Sequence, residues 1–212
     1  MSIKVLSKQE SSVIAAGEVV ERPASIVKEL VENSIDAGAD TILIHIESGG
    51  IKAIAVSDNG SGIASNDVEL AFHRFATSKY PENGDLFNIE TLGFRGEALP
   101  SIASVASIRM VTRVVDERNG TSVHMDNGNL IEVLSTGCPL GTTVTVTNLF
   151  ARIPARLKFL KSPSVESQRI YSLVQQLSMA FPLVRFRFDV DGKVRINTRG
   201  NGDLRNTYAE IF

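Results

Sequence analysis

The sequence predicts an α+β fold, a two-layer α/β sandwich in which helices cover one face of a mainly antiparallel sheet. Three observations support this. Segments that alternate with period two follow one another across short turn signals, as successive hairpins do. Segments with apolar residues at helical spacing lie before and between them. With 212 residues, 43% hydrophobic and 22% charged, the chain can bury a full core as one or two domains without covalent staples.

Taken in order, "SKQE" at Ser7 to Glu10 has the form of a capping box and opens a first helix that ends near Gly17. Pro23 in "ERPAS" suits the first turn of a second helix, and Gly38 suits its C-terminal cap. "TILIHIE" and "IKAIAVSD", separated by "SGG", form a hairpin pattern. Ile54, Val56 and Asp58 share parity, so an acid ends the buried side of that strand and needs a partner. Val68, Ala71, Phe72 and Phe75 recur at i, i+3, i+4 and i+7, which predicts a third helix.

From Thr77 to Gly96 no periodicity survives, and loops of that length are often functional lids. A helix resumes at Glu97, with Pro100 tolerated in its first turn. "SIRMVTRV", "TSVHMD", "LIEVLS" and "TTVTVTN" then read as strands broken by "RNG", "NGN" and "TGCPLG". A helix over Val165 to Ala180 follows, then a hairpin turning at Asp191 and Gly192, then "LRNTYAEIF" as a helix cut short. The expected organisation is one domain over residues 1–200, with a lid at about 77–96, and the start of a following domain in 201–212.

Composition narrows the function. The single Cys138 excludes an internal disulfide framework, and three scattered histidines argue against a Cys/His zinc site. The N-terminal segment has no apolar signal core and no run approaches membrane-spanning length, so no membrane partner is expected. Net charge is −2, but it is unevenly distributed. Residues 151–212 carry eleven Lys and Arg against five Asp and Glu, a basic asymmetry that fits either a nucleic-acid face or an ordinary exposed surface.

Three features carry chemistry. On a helix, Glu29, Glu32, Asn33 and Asp36 gather in one polar sector beside Ile26, Val27, Leu30, Val31 and Ile35. Alone, that stripe fits a solvated acidic face equally well. "DNGSGI" puts an acid at a strand end before glycines that permit close backbone approach to a flat ligand. "GFRGEAL" runs two glycines into a helix N-terminus, a ready site for phosphate. The usual phosphate loop is absent, and "GSGIAS" lacks the third glycine and the βαβ setting of a dinucleotide fingerprint.

"IAAGEVVERPASIVKELVENSIDAGA", "DNGSGI", "ATSK" and "LGFRGEAL", in this order, resemble the N-terminal ATPase region of MutL-type DNA mismatch repair proteins. That superfamily also includes DNA gyrase, a heat-shock chaperone and histidine kinases. The likeness extends over essentially the whole chain and is densest in the first 100 residues. It implies that the helix layer forms a nucleotide site for ATP and Mg²⁺.

In that likeness Glu29 is the general base that activates water, and Asn33 is the Mg²⁺ ligand as well as a nucleotide contact. Asp58 accepts from the adenine amino group, with Gly60 and Gly62 letting the chain pass the base. Thr77, Ser78 and Lys79 open the lid and reach ribose and phosphates. Gly93, Phe94, Arg95 and Gly96 offer amides to the phosphates. Glu32 and Asp36 orient neighbours or hold waters, and Thr143, in the block Gly141 to Thr143, supplies a hydroxyl near the adenine.

Two places depart from the pattern. Phe75 stands where a histidine is usual, and "ARIPAR", with Arg152 and Ile153, stands where "YNTPAR" is typical. The resemblance further implies slow turnover, a lysine supplied by a following domain, a nucleotide-driven homo- or heterodimer and a mismatch-recognition partner of the MutS type. It leaves DNA contact through the basic C-terminal part as a secondary expectation. The setting is cytoplasmic for a bacterial source and nuclear for a eukaryotic one. Rival readings are a nucleotide-binding module without significant turnover, a kinase-like use of the fold, and a DNA-binding protein indifferent to nucleotide.

Overall fold

The protein is seen in a computed structural model that describes residues 16, 17, 19–79, 91–93 and 95–212. Within them lie strands β1 (Thr41–Glu47), β2 (Ala53–Asp58), β3 (Ser107–Arg113), β4 (Gly120–Asp126), β5 (Asn129–Thr136), β6 (Gly141–Thr147), β7 (Arg185–Val190) and β8 (Lys193–Asn197). They form one sheet of eight strands in the order β5-β4-β3-β6-β2-β1-β7-β8. Every neighbouring pair is antiparallel except β1 and β7, which run parallel.

The alternation read from the sequence sets the layers. Ile42, Ile44 and Ile46 of β1, Ile54 and Val56 of β2, Val144 and Val146 of β6, and Phe186 and Phe188 of β7 are buried. The intervening positions Leu43 and His45 of β1 remain partly open. Helices α1 (Pro23–Asp36), α2 (Ala98–Val105), α3 (Pro154–Phe159), α4 (Pro163–Ala180) and α5 (Leu204–Ile211) complete the described elements. Helix α1 rests on β1 and β2, and α4 rests on α1 and β7. The buried stripe of α1 is Ile26, Val27, Leu30, Val31 and Ser34. Each of its aliphatic side chains contributes about 1.5–3 kcal/mol by leaving water.

Helix boundaries follow the predicted signals. Pro23 opens α1, and Gly38, at φ +71°, lies just past its end and donates its N–H to the Ile35 carbonyl. Helix α2 begins at Ala98 with Pro100 in its first turn. Helix α4 begins at Pro163, two residues before the expected start. The Asp203 carboxylate caps α5 by accepting from the amides of Arg205 and Asn206. Helix α5 packs on α4 and β8 with Ile211 buried.

The third predicted helix is a correction. Residues 65–69 form turns and Leu70–Phe72 a single 3₁₀ turn, after which the chain leaves helical geometry. Val68 and Phe72 are buried as the pattern required, but Phe75 is 75% exposed at φ +65°. Its N–H donates to the Gly96 carbonyl, so tertiary pairing overrides the helical repeat. The short helix α3, within "ARIPARLKFL", had no counterpart in the prediction. The first predicted helix lies outside the described residues except Ala16 and Gly17, which are helical. Much of the expected lid, residues 80–90 and 94, also lies outside them. No described helix is long and apolar enough to cross a membrane.

Candidate functional site

Helix α1 forms the floor. Because its buried stripe faces the sheet, Glu29, Glu32, Asn33 and Asp36 fall on an adjoining, partly exposed side. Two clusters are built against that side, one through Ser34 and one through Asn33.

The first cluster surrounds Asp58 at the end of β2. Its carboxylate accepts from Ser34 Oγ at 2.8 Å, from the Gly60 N–H at 2.9 Å and from the Thr142 N–H at 3.2 Å. The acid expected to need a partner thus has three, and a carboxylate has about four acceptor positions, leaving capacity for one further donor. Gly60 packs on Ala37, and the Ser61 N–H donates to the Ala37 carbonyl. Gly62, at φ +74°, lies so close to the Arg113 carbonyl that no Cβ fits. Beside it the Ile63 N–H donates to Thr112 Oγ1, which also contacts Thr142 Oγ1 at 3.0 Å.

The second cluster surrounds Asp36, whose side chain is 4% exposed. Lys79 Nζ donates to Asp36 Oδ2 at 2.6 Å and to Asn33 Oδ1 at 2.8 Å. The amides of Leu92 and Gly93 also donate to Asp36, at 2.9 and 3.1 Å. Thr77 Oγ1 accepts from the Lys79 N–H and shapes the turn that presents the lysine. Gly96, at φ +61°, is pressed against the Ala76 carbonyl, which brings it against the start of "ATSK".

Glu29 lies one helical turn before Asn33. Burial is the largest influence on its carboxyl and raises its pKa above the usual 4.5. Lys28 opposes that shift, Glu32 adds to it, and Lys79 and Arg95 oppose it. The fields of Lys79 and Arg95 at Glu29 tie the base candidate to both loop segments.

Of the predicted residues, Lys79 and Gly93 converge on Asp36 and Asn33 shares the Lys79 ammonium, while Asp58 and Gly60 meet directly. Ser78 and Arg95 are exposed at the rim. Phe94 lies outside the described residues. Thr143 is a correction: it pairs with Ser57, and its hydroxyl donates to Ser57 Oγ at 2.9 Å on the opposite side of the sheet from Asp58. Thr142, one residue earlier, lies beside Asp58 instead. Ser34 and Thr112 were missed. A hydroxyl at the end of α1's apolar stripe was the available signal for Ser34, whereas Thr112 looks like any strand threonine.

No group of three or more His, Cys, Asp or Glu among the described residues could hold a metal ion. A cation here would rely on the Asn33 amide oxygen together with ligand oxygens and water, a donor set that suits Mg²⁺. That oxygen is a hard donor already engaged by a cationic group, so its chemistry fits.

The family model described as histidine kinase-, DNA gyrase B- and HSP90-like ATPase matches residues 21–133. The chain is 48% identical over 211 residues to a DNA mismatch repair protein MutL from Desulforamulus reducens, spanning all of this chain and 33% of that protein. It is 49% identical over 210 residues to the MutL of Shouchella clausii, spanning 99% of this chain and 32% of that protein. The chain thus spans about a third of the length of the curated relatives it matches. The Aquifex aeolicus MutL ATPase domain complexed with ADP superposes with a TM-score of 0.77 at 31% identity, covering 92% of this chain and 70% of that one.

Proposed function

This chain belongs to the histidine kinase-, DNA gyrase B- and HSP90-like ATPase family, among its MutL-type members, and on that premise we propose that it binds and slowly hydrolyses ATP as a switch in DNA mismatch repair. The observation that carries the reading is the join between the two clusters. Ser34 reaches Asp58, and the residue before it, Asn33, accepts from Lys79. One helical step therefore links an acid able to select a base with a cation able to meet phosphates.

Asp58 uses its remaining acceptor capacity for an exocyclic amino group, which favours adenine. Gly60 and Gly62 keep the wall beside the base free of side chains. Lys79, with the segment that leads into α2, receives the phosphates. The Asn33 amide oxygen would hold Mg²⁺, and the ion would supply charge neutralisation to the phosphates. Glu29 takes the proton from water as the water oxygen bonds to the γ-phosphorus and the bond to the β-phosphate oxygen breaks. The products are ADP and inorganic phosphate. A carboxyl held above its ordinary pKa is the better proton acceptor for this step.

Calorimetry with a non-hydrolysable ATP analogue and Mg²⁺ tests the site. Binding should weaken at least about tenfold when the metal is chelated, and Asp58→Asn should erode the preference over the guanine analogue by about tenfold. Undetectable binding, or an unchanged preference in the variant, would contradict the proposal.

Nucleotide-driven ordering of the 77–96 segment, dimerisation and action with a mismatch-recognition protein of the MutS type are proposed for the whole protein. Sedimentation with and without the analogue tests dimerisation. Co-sedimentation with such a partner on mismatched DNA tests the last, and loss of the complex only when the mismatch is removed is the expected outcome.

A further inference from the structure

Resting on the nucleotide reading above, we infer that Asp36 is a positioning residue for the phosphate end of the site and acts through Lys79. A carboxylate only 4% exposed is tolerated where donors surround it. Asp36 has three, and they come from two segments that flank residues 80–90. The Lys79 ammonium comes from one side of residues 80–90, and the amides of Leu92 and Gly93 come from the other.

The grip on Lys79 is double. Asn33 and Asp36 stand three residues apart on one side of α1, and both accept from the same ammonium, at 2.8 and 2.6 Å. A lysine stem has several rotatable bonds, and two acceptors remove most of that freedom before any ligand arrives. The two acceptors are not equivalent. A divalent cation held at the Asn33 oxygen would compete with the ammonium that now donates to it. Asp36 is the anchor that remains, and it keeps Lys79 beside the phosphates while Asn33 changes partner.

The residue was one of four acids and amides in a polar stripe, and nothing in its spacing separated it from Glu32. Their contacts separate them. Glu32 pairs with exposed Lys28 on the outer side of the helix. Asp36 is the one with donors from both flanking segments.

A double-mutant cycle tests the inference: Asp36→Asn, Lys79→Met and the pair, each titrated by calorimetry with the non-hydrolysable ATP analogue and Mg²⁺. Asparagine keeps the size and an acceptor for one amide but removes the charge that holds the ammonium. Each single variant should raise Kd about tenfold, and the pair about tenfold rather than a hundredfold. In turnover, the Asp36→Asn effect should appear in KM, with kcat within about twofold. Asp36→Glu should recover part of the loss. A merely structural role would lower thermal stability and give independent, multiplying effects. A hundredfold loss in the pair, or an unchanged Kd in Asp36→Asn, overturns the inference. Should Asp36→Asn fail to fold, an unchanged Kd in Lys79→Met overturns it instead. If the wild-type chain binds no analogue, the nucleotide reading itself has failed.

Discussion

At the scale of single residues, the chemistry depends on Glu29 being both ionisable and partly buried. Burial raises its pKa above 4.5 in the folded chain. A carboxyl raised on folding supports the fold below its unfolded pKa and loses that contribution as pH rises through the folded value. Glu29→Gln should therefore raise the melting temperature slightly at neutral pH, and the difference should vanish as pH falls below 4.5. A destabilised variant at neutral pH would count against the burial effect. What the sequence made legible at Asp58 was a strand-end carboxylate in need of partners, and three donors surround it. Thr143 misled because a run of two threonines leaves its parity open, and only the pairing with Ser57 decides which one meets Asp58.

At the scale of elements, α1 and the β2 terminus were legible because cap, stripe and alternation agree at each end. The segment around Phe75 was not. Its i, i+3, i+4, i+7 repeat is genuine for Val68 and Phe72, yet Phe75 turns outward to pair with Gly96. A contact made 21 residues away in the chain leaves no mark in a local period. The second glycine after Asp58, Gly62, carries the clearest element-scale prediction. At φ +74° and against the Arg113 carbonyl, Gly62→Ala should cost about 2 kcal/mol or more through backbone strain and overpacking. Chemical denaturation measures it, and a loss below about 0.5 kcal/mol would show that the β2 end and the β3 end do not approach so closely.

At the scale of the whole molecule, the layered arrangement follows from strands that alternate and helices with one apolar side. The parallel join of β1 to β7 could not be read locally, because the turn signals in the 137 residues between Glu47 and Arg185 pair other strands and none links these two. Charge is distributed on the same scale. Lys158, Lys161, Arg185, Arg187 and Arg195 are all exposed in the basic C-terminal part, and we propose that this part contacts DNA. Its affinity for a duplex should fall at least about tenfold between about 50 and 200 mM salt; an interaction insensitive to salt would refute it.

Phosphate release by wild type and Glu29→Gln, set beside analogue binding by both, tests the central claim most directly. Binding should agree within about threefold, and release should fall at least about a hundredfold in Glu29→Gln. Equal release from the two proteins would contradict it.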